Sequence, residues 1–371
     1  MEKIGIITFH NSNNYGAILQ TYALQTIYLQ YSDDVEIIDY IDPEKKGWYK
    51  AFDFSKKKTL FQNFFEIVKL PNAFIIAVKN YRLNKFTKRN YRLSEETFEG
   101  MSQKLNEYVN NFGIISVGSD QVWNWENTSF DKVYFLDFKN CKAKLISYAA
   151  SFGMSTVPND KKLEYKRLLS RFDDISVRES DGEKILSDLG INKKVSTVLD
   201  PTLLISSNTW LKSVKREKIN KNYILMYSIG KNHHMDEIAR SFSKATGLRI
   251  IRIATNLRDW FGGFKTVNPG IDKFINLFYD ATYVFTDSFH GVAFSLNFNK
   301  KFFVFLRDDN KANNRIMDLL SKVNMENTRV HIYEDINLSL KYNYEYANNQ
   351  LKIMKLDSMN YIEKAISNRD L

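Results

Sequence analysis

The feature that most restricts the fold of this chain is a recurring unit: a short apolar run that stops at a polar turn and restarts with helical spacing. Its clearest copy is Tyr283-Val284-Phe285-Thr286 followed by Asp287-Ser288-Phe289-His290-Gly291 and a further apolar stretch. Lys3 to Thr8 repeats it, opening through Phe9 to Gly16 into a helical pattern from Ala17 to Gln30. So do Gly113 to Val117 before Gly118-Ser119-Asp120, Asp174 to Val177 before Arg178-Glu179, and Val195 to Leu199 before Asp200-Pro201. A second round starts at Tyr223 to Ser228 and runs through Arg249 to Arg252 as far as Lys301 to Phe305. Strands alternating with helices in this way predict parallel sheets covered on both faces. The carboxyl ends of such strands share one rim, which is where ligands bind.

At 371 residues the chain exceeds the roughly 250–300 residues at which single cores stop growing. Two Rossmann-like domains facing a cleft are therefore expected, at 1–211 and 223–345. The Lys-rich stretch 212–222, which lacks apolar period, reads as their linker, and 346–371 as a C-terminal helix. A cleft between two such domains is the default place for a substrate.

The net charge of +10 is localised. Residues 41–94 carry 13 Lys/Arg against 4 acidic residues, a net of +9, interleaved with Trp48, Phe52, Phe54, Phe61, Phe64, Phe65 and Phe74. This reads as a basic helical excursion from the first domain. Bases paired with apolar anchors suit an anionic membrane surface, although most charge runs are simply solvated faces. No recognition motif accompanies the basic stretch, which argues against nucleic acid. The single cysteine, Cys141, rules out an internal disulfide framework and fits a reducing compartment. Signal-peptide zones are missing from the first residues, and no apolar run approaches the ~18 residues of a span. A cytoplasmic protein, peripheral at most to the inner leaflet, is expected.

Four strand ends carry polar groups able to converge on one rim: Asp120, Arg178, His290, and the pair Lys311 and Arg315. Each also has an ordinary explanation. Asp120 suits a helix cap or Asx-turn, Arg178 beside Glu179 a surface ion pair, and His290 a satisfied helix start. The remaining histidines, His10, His233, His234 and His331, lack zinc spacing, and Asp308-Asp309 has no further ligands nearby in sequence, so no metal is expected. Walker and nucleophile-elbow motifs do not occur.

Six segments in order resemble the polysaccharide pyruvyl transferase family: Ile7 to Ala17, Gly118 to Asn124, Ser147 to Gly153, Ser176 to Glu179, Leu199 to Leu204 and Thr286 to Gly291. The resemblance implies a GT-B-like fold and transfer of the enolpyruvyl carbons of phosphoenolpyruvate to a sugar hydroxyl pair as a ketal. It implies no cofactor beyond phosphoenolpyruvate as co-substrate, and a sugar or lipid-linked glycan as acceptor, in cell-surface polysaccharide biosynthesis. One departure stands out. Family members often have Arg-Leu-His-Gly where this chain has Ser288-Phe289-His290-Gly291, and a Ser lacks the charged fork that grips a carboxylate or phosphate.

On this reading His290 is the general acid and Asp120 the base. Arg178, Ser288, Lys311 and Arg315 hold the donor, with Arg307 a further candidate for the missing charge. Asn13, Asn14 and Tyr15 line the acceptor side. The alternatives are a GT-B-type glycosyltransferase using a nucleotide sugar, which Ser288 would suit, and a non-catalytic glycan-binding protein.

Overall fold

A computed structural model describes residues 2–44, 60–220, 222–230, 232–255, 257–307, 310–332, 336 and 339–367, with the side chains of 60–72, 258 and 310–312 outside the description. The expected pair of α/β domains is what the chain forms. The first sheet contains β1 (Ile4–Ile7), β2 (Val35–Ile41), β3 (Leu93–Glu99), β4 (Ile114–Val117) and β5 (Lys144–Ser147) in the order β3-β2-β1-β4-β5. Single bridges from Ile146 to Asp174 and from Ala150 to Val177 continue it to the parallel pair β6 (Ile175–Val177) and β7 (Val195–Thr197). The second sheet has β8 (Tyr223–Tyr227), β9 (Arg249–Ile253), β10 (Lys265–Val267), β11 (Tyr283–Thr286) and β12 (Lys301–Val304), ordered β10-β9-β8-β11-β12. Every pairing in both sheets is parallel. The inner strands are short and apolar because both their faces are covered: β1, β4 and β8 are buried at every residue.

Strand order reverses between β1 and β4 in one sheet and between β8 and β11 in the other. Crevices open at the carboxyl ends of such switch points. In this chain they are flanked by the segments after Ile7 and Val117, and by those after Tyr227 and Thr286.

Two strands were not expected. β3 is an edge strand that buries only Ser94 and Phe98 of its seven residues, so its sequence carries no alternating apolar signal. β10 is three residues long.

The basic excursion also differs from a simple solvated arm. Residues 45–59 lie outside the description, but Leu60–Asn90 form one helix. Its second half buries Leu83 and Phe86, contacts worth about 1.5–3 kcal/mol each by area. The same half crosses to the second domain. Asn268 donates to the Ile75 carbonyl at 2.9 Å, Arg82 donates to the Asn268 carbonyl, and Arg89 pairs with Asp272 at 2.7 Å.

The helix Tyr344–Ser367 makes the reverse crossing. Its Ser358 hydroxyl accepts from the Leu199 amide at 2.9 Å, and Tyr361 donates to the Ser147 carbonyl at 2.8 Å. Trp210, on the helix Ser207–Ser213 just before the expected linker, is buried against Phe294 at 5.3 Å. One hydrophobic core thus runs through both domains. Among the described residues, no helix is long and apolar enough to cross a membrane.

Candidate active site

The site is built around Arg178, which follows β6 and is 2% exposed. One terminal nitrogen lies 3.0 Å from Asp200 Oδ2, the other 3.4 Å from Asp120 Oδ1, and Nε is 3.6 Å from Glu179 Oε2. The Phe289 ring closes over the guanidinium at 4.6 Å. Burial alone would lower the Arg178 pKa, but the facing carboxylates of Asp120, Asp200 and Glu179 hold it above the ordinary arginine value. The carboxylates are anchored in turn: Glu179 accepts from Ser151 at 2.6 Å, and Asp200 from Ser119 at 3.1 Å and from the Thr202 hydroxyl at 2.7 Å.

Asp120 is presented by an unusual turn. Its φ is +72°, a conformation that non-glycine residues adopt rarely and that clusters at functional sites. Gly118, two residues earlier, has φ +123°, and a Cβ there would run into the Tyr148 carbonyl. The turn is therefore pressed against the end of β5, and the Asp120 carbonyl accepts from the Ser151 amide.

From the second domain comes the helix Phe289–Asn297, with His290 in its first turn. Nε2 of His290 is buried without a hydrogen-bond partner, 3.8 Å from Asp200 Oδ2. Across the domain boundary the ring packs on Gly16 so tightly that a Cβ at Gly16 would overlap it. Burial would raise the Asp200 pKa, but His290 and Arg178 hold its carboxyl well below the usual range.

Arg315, on the helix Asn310–Lys322, brings a second guanidinium. It lies 4.0 Å from Asp120, and its buried Nε has no hydrogen-bond partner. Burial, and then repulsion by Arg178, bring its pKa down to about 10. A cavity of about 50 Å³ adjoins these groups, lined by Arg178, Glu179, Asp200, Phe289 and Arg315 among others.

The structure thus brings together Asp120, Arg178, His290 and Arg315. The other expected site residues are placed differently. Ser288 is fully buried, and its hydroxyl caps the helix by accepting from the Gly291 amide at 3.4 Å. Lys311 belongs to the helix start, but its side chain is outside the described residues. Arg307 lies on the side of Gly230 and Asp287. Asn14 caps the helix Tyr15–Tyr28, its Oδ1 accepting from the Gly16 amide at 2.8 Å, and Asn13 is half-buried beside it. Tyr15 is buried in the domain interface, donating to the Pro269 carbonyl at 2.8 Å and stacking on Phe274 at 4.4 Å. Packing accounts for Tyr15 more fully than acceptor contact does.

Asp200 and Glu179 were not among the expected site residues. Asp200 precedes Pro201 and carries the ordinary mark of a helix cap, a role it does fill toward the Thr202 amide at 3.0 Å. That signal hides its second role beside Arg178 and His290. Glu179 reads from sequence as the outer half of an exposed pair, yet it is 4% exposed.

Comparison with solved structures bears on the fold alone. A glycosyltransferase from Rickettsia africae aligns over 99% of this chain and 100% of its own, with a TM-score of 0.53 at 11% identity. The UDP-GlcNAc 2-epimerase of Methanocaldococcus jannaschii, in complex with UDP-GlcNAc and UDP, aligns over 95% and 92% with a TM-score of 0.51 at 13% identity. That of Neisseria meningitidis, bound to UDP-GlcNAc, aligns over 99% of both chains with a TM-score of 0.50 at 11% identity. The architecture is that of the GT-B glycosyltransferases and epimerases. No curated protein matches the sequence significantly. The family model for polysaccharide pyruvyl transferase matches residues 14–309, spanning both domains and every group of the Arg178 cluster except Arg315, and the chain belongs to that family of transferases.

Proposed function

We propose that the protein transfers the pyruvyl group of phosphoenolpyruvate to a pair of hydroxyls on a sugar of a lipid-linked glycan. The observation that carries this reading is Arg315: a buried guanidinium beside a second one, its Nε unpartnered and its pKa lowered by burial. Phosphoenolpyruvate offers that anion twice, as carboxylate and as phosphate, and guanidinium forks match both. Lys311 is kept as a further donor ligand, at the start of the same helix.

In the proposed reaction His290, through Nε2, gives a proton to the methylene carbon of the donor. The adjacent carbon becomes oxocarbenium-like, and one sugar hydroxyl adds to it as Asp120 takes the hydroxyl proton. Phosphate then leaves that carbon, the second hydroxyl adds, and the ketal closes. The second hydroxyl proton returns to His290, and the proton held by Asp120 departs with phosphate, so that both groups are reset. Asn13 and Asn14 border the acceptor side, next to the Gly16 contact with His290. No step calls for a metal or organic cofactor.

A nucleotide-sugar donor would draw on Ser288, whose buried hydroxyl is engaged in the helix cap. That leaves the glycosyltransferase reading without a residue of its own. Titration calorimetry separates the two: saturable binding of phosphoenolpyruvate that weakens at least tenfold in Arg315→Met is expected, whereas binding of a nucleotide sugar alone sinks the proposal. In a transfer assay His290→Ala should lose 10²–10⁴-fold in rate.

A further inference from the structure

The tertiary structure joins two exposed aromatic segments that lie about 180 residues apart. On the helix Leu60–Asn90, Phe74 and Tyr81 stand 66% and 64% exposed and repeat at helical spacing with Lys85 and Lys88. Lys85 lies over the Tyr81 ring at 4.8 Å. From the second domain the short helix Leu257–Phe261 packs against this same helix and presents Trp260 at 43% and Phe261 at 79% exposure. The neighbouring Asp259 faces Lys79 electrostatically. The two helices touch, and each holds large aromatics out in water; exposed apolar patches mark interaction sites.

The charge around the patch has one sign on the helix side. Residues 73–90 contain Lys79, Arg82, Lys85, Lys88 and Arg89 and no acidic residue. Lys79 is buried, Arg89 pairs with Asp272 and Arg82 bonds the Asn268 carbonyl, which leaves Lys85 and Lys88 facing outward. Upstream in sequence, Lys45, Lys46, Lys50, Lys56, Lys57 and Lys58 continue the basic run.

We propose that Phe74, Tyr81, Trp260 and Phe261, with Lys85 and Lys88, form a bipartite docking face for an anionic lipid bilayer. Aromatic rings settle at the headgroup level while lysines meet the anionic surface. The face deepens the proposed function by supplying contact with a membrane-borne acceptor. It rests on that reading only for its purpose, since vesicle binding needs neither donor nor acceptor.

The test is co-sedimentation of the full chain with vesicles of phosphatidylglycerol and phosphatidylcholine against vesicles of phosphatidylcholine alone. Binding to the anionic vesicles only, weakened by salt, is expected. Trp260→Ser with Phe261→Ser, and separately Lys85→Ala with Lys88→Ala, should each weaken it about tenfold or more. These side chains are exposed, so thermal melting and phosphoenolpyruvate binding should match wild type in both variants. Equal sedimentation of wild type and both variants overturns the proposal, as does failure to bind anionic vesicles. If the aromatic variant instead turns a dimer into a monomer on size exclusion while vesicle binding persists, the face covers a second copy of the chain and the proposal also falls. Loss of donor binding with vesicle binding intact would count against the transfer reaction alone.

Discussion

The two domains contribute unequal halves to the site. The first supplies Arg178 with three carboxylates around it, each anchored by serine, threonine or backbone groups, and within that network Arg178 Nε and Glu179 Oε2 also lack hydrogen-bond partners. The second supplies His290 and Arg315, each with a buried nitrogen lacking a hydrogen-bond partner. Buried polar atoms are nearly always bonded in native proteins, and exceptions point to a ligand or water. The difference lies in charge: the first half surrounds its guanidinium with carboxylates, while the second brings two basic groups to those carboxylates, which suits the anion binding and proton transfer proposed for it.

The largest expected effect tests the first half. Arg178→Met takes from Asp120, Asp200 and Glu179 the guanidinium they share in a buried place and should destabilise the fold by about 3–5 kcal/mol in urea denaturation. A loss under about 1 kcal/mol would mean that the network is not structural.

Gly16→Ala comes next, because its methyl overlaps the His290 ring across the domain boundary. Overpacking of this kind costs about 1–3 kcal/mol, and transfer activity should fall further than stability does. Wild-type activity would show that the Gly16 contact does not position His290.

Asp200 gives a pH signature. Its folded pKa is depressed by His290 and Arg178, so the ionised form stabilises the fold. That contribution is complete above the unfolded value of about 3.9 and is lost as pH falls below it, at up to about 1.4 kcal/mol per pH unit. Asp200→Asn should flatten the acid limb of stability against pH. An unchanged limb would remove Asp200 from the network.

The smallest effect sharpens the contrast. Arg315→Met removes a buried cation that Arg178 repels, and should change stability by less than about 1 kcal/mol while weakening phosphoenolpyruvate binding. A stability loss as large as that of Arg178→Met would erase the distinction between the halves.

Much of this was legible in the chain. Asp120, Arg178 and His290 follow short apolar runs, and in a parallel sheet that alone puts them on a rim. Ser288 was legible only as a departure: the sequence cannot say whether a serine at a helix start meets a ligand or caps the helix, because both uses begin with the same residue. Asp200 was masked by its proline in the same way. β3 was invisible because an edge strand with two inward side chains has no period to detect.

What the sequence alone determined is the set of βα units, hence two parallel sheets and the segments that end at their carboxyl edges. These are local properties, fixed by apolar spacing and turn chemistry. Only the tertiary structure decided which of those ends meet. Arg178 is ringed by carboxylates from three separate segments, His290 touches Gly16 from the other domain, and the helix Leu60–Asn90 lies along the second domain beside Trp260 and Phe261. Burial and charge pairing between distant segments depend on how the domains pack, and the spacing of residues along a chain does not encode that packing.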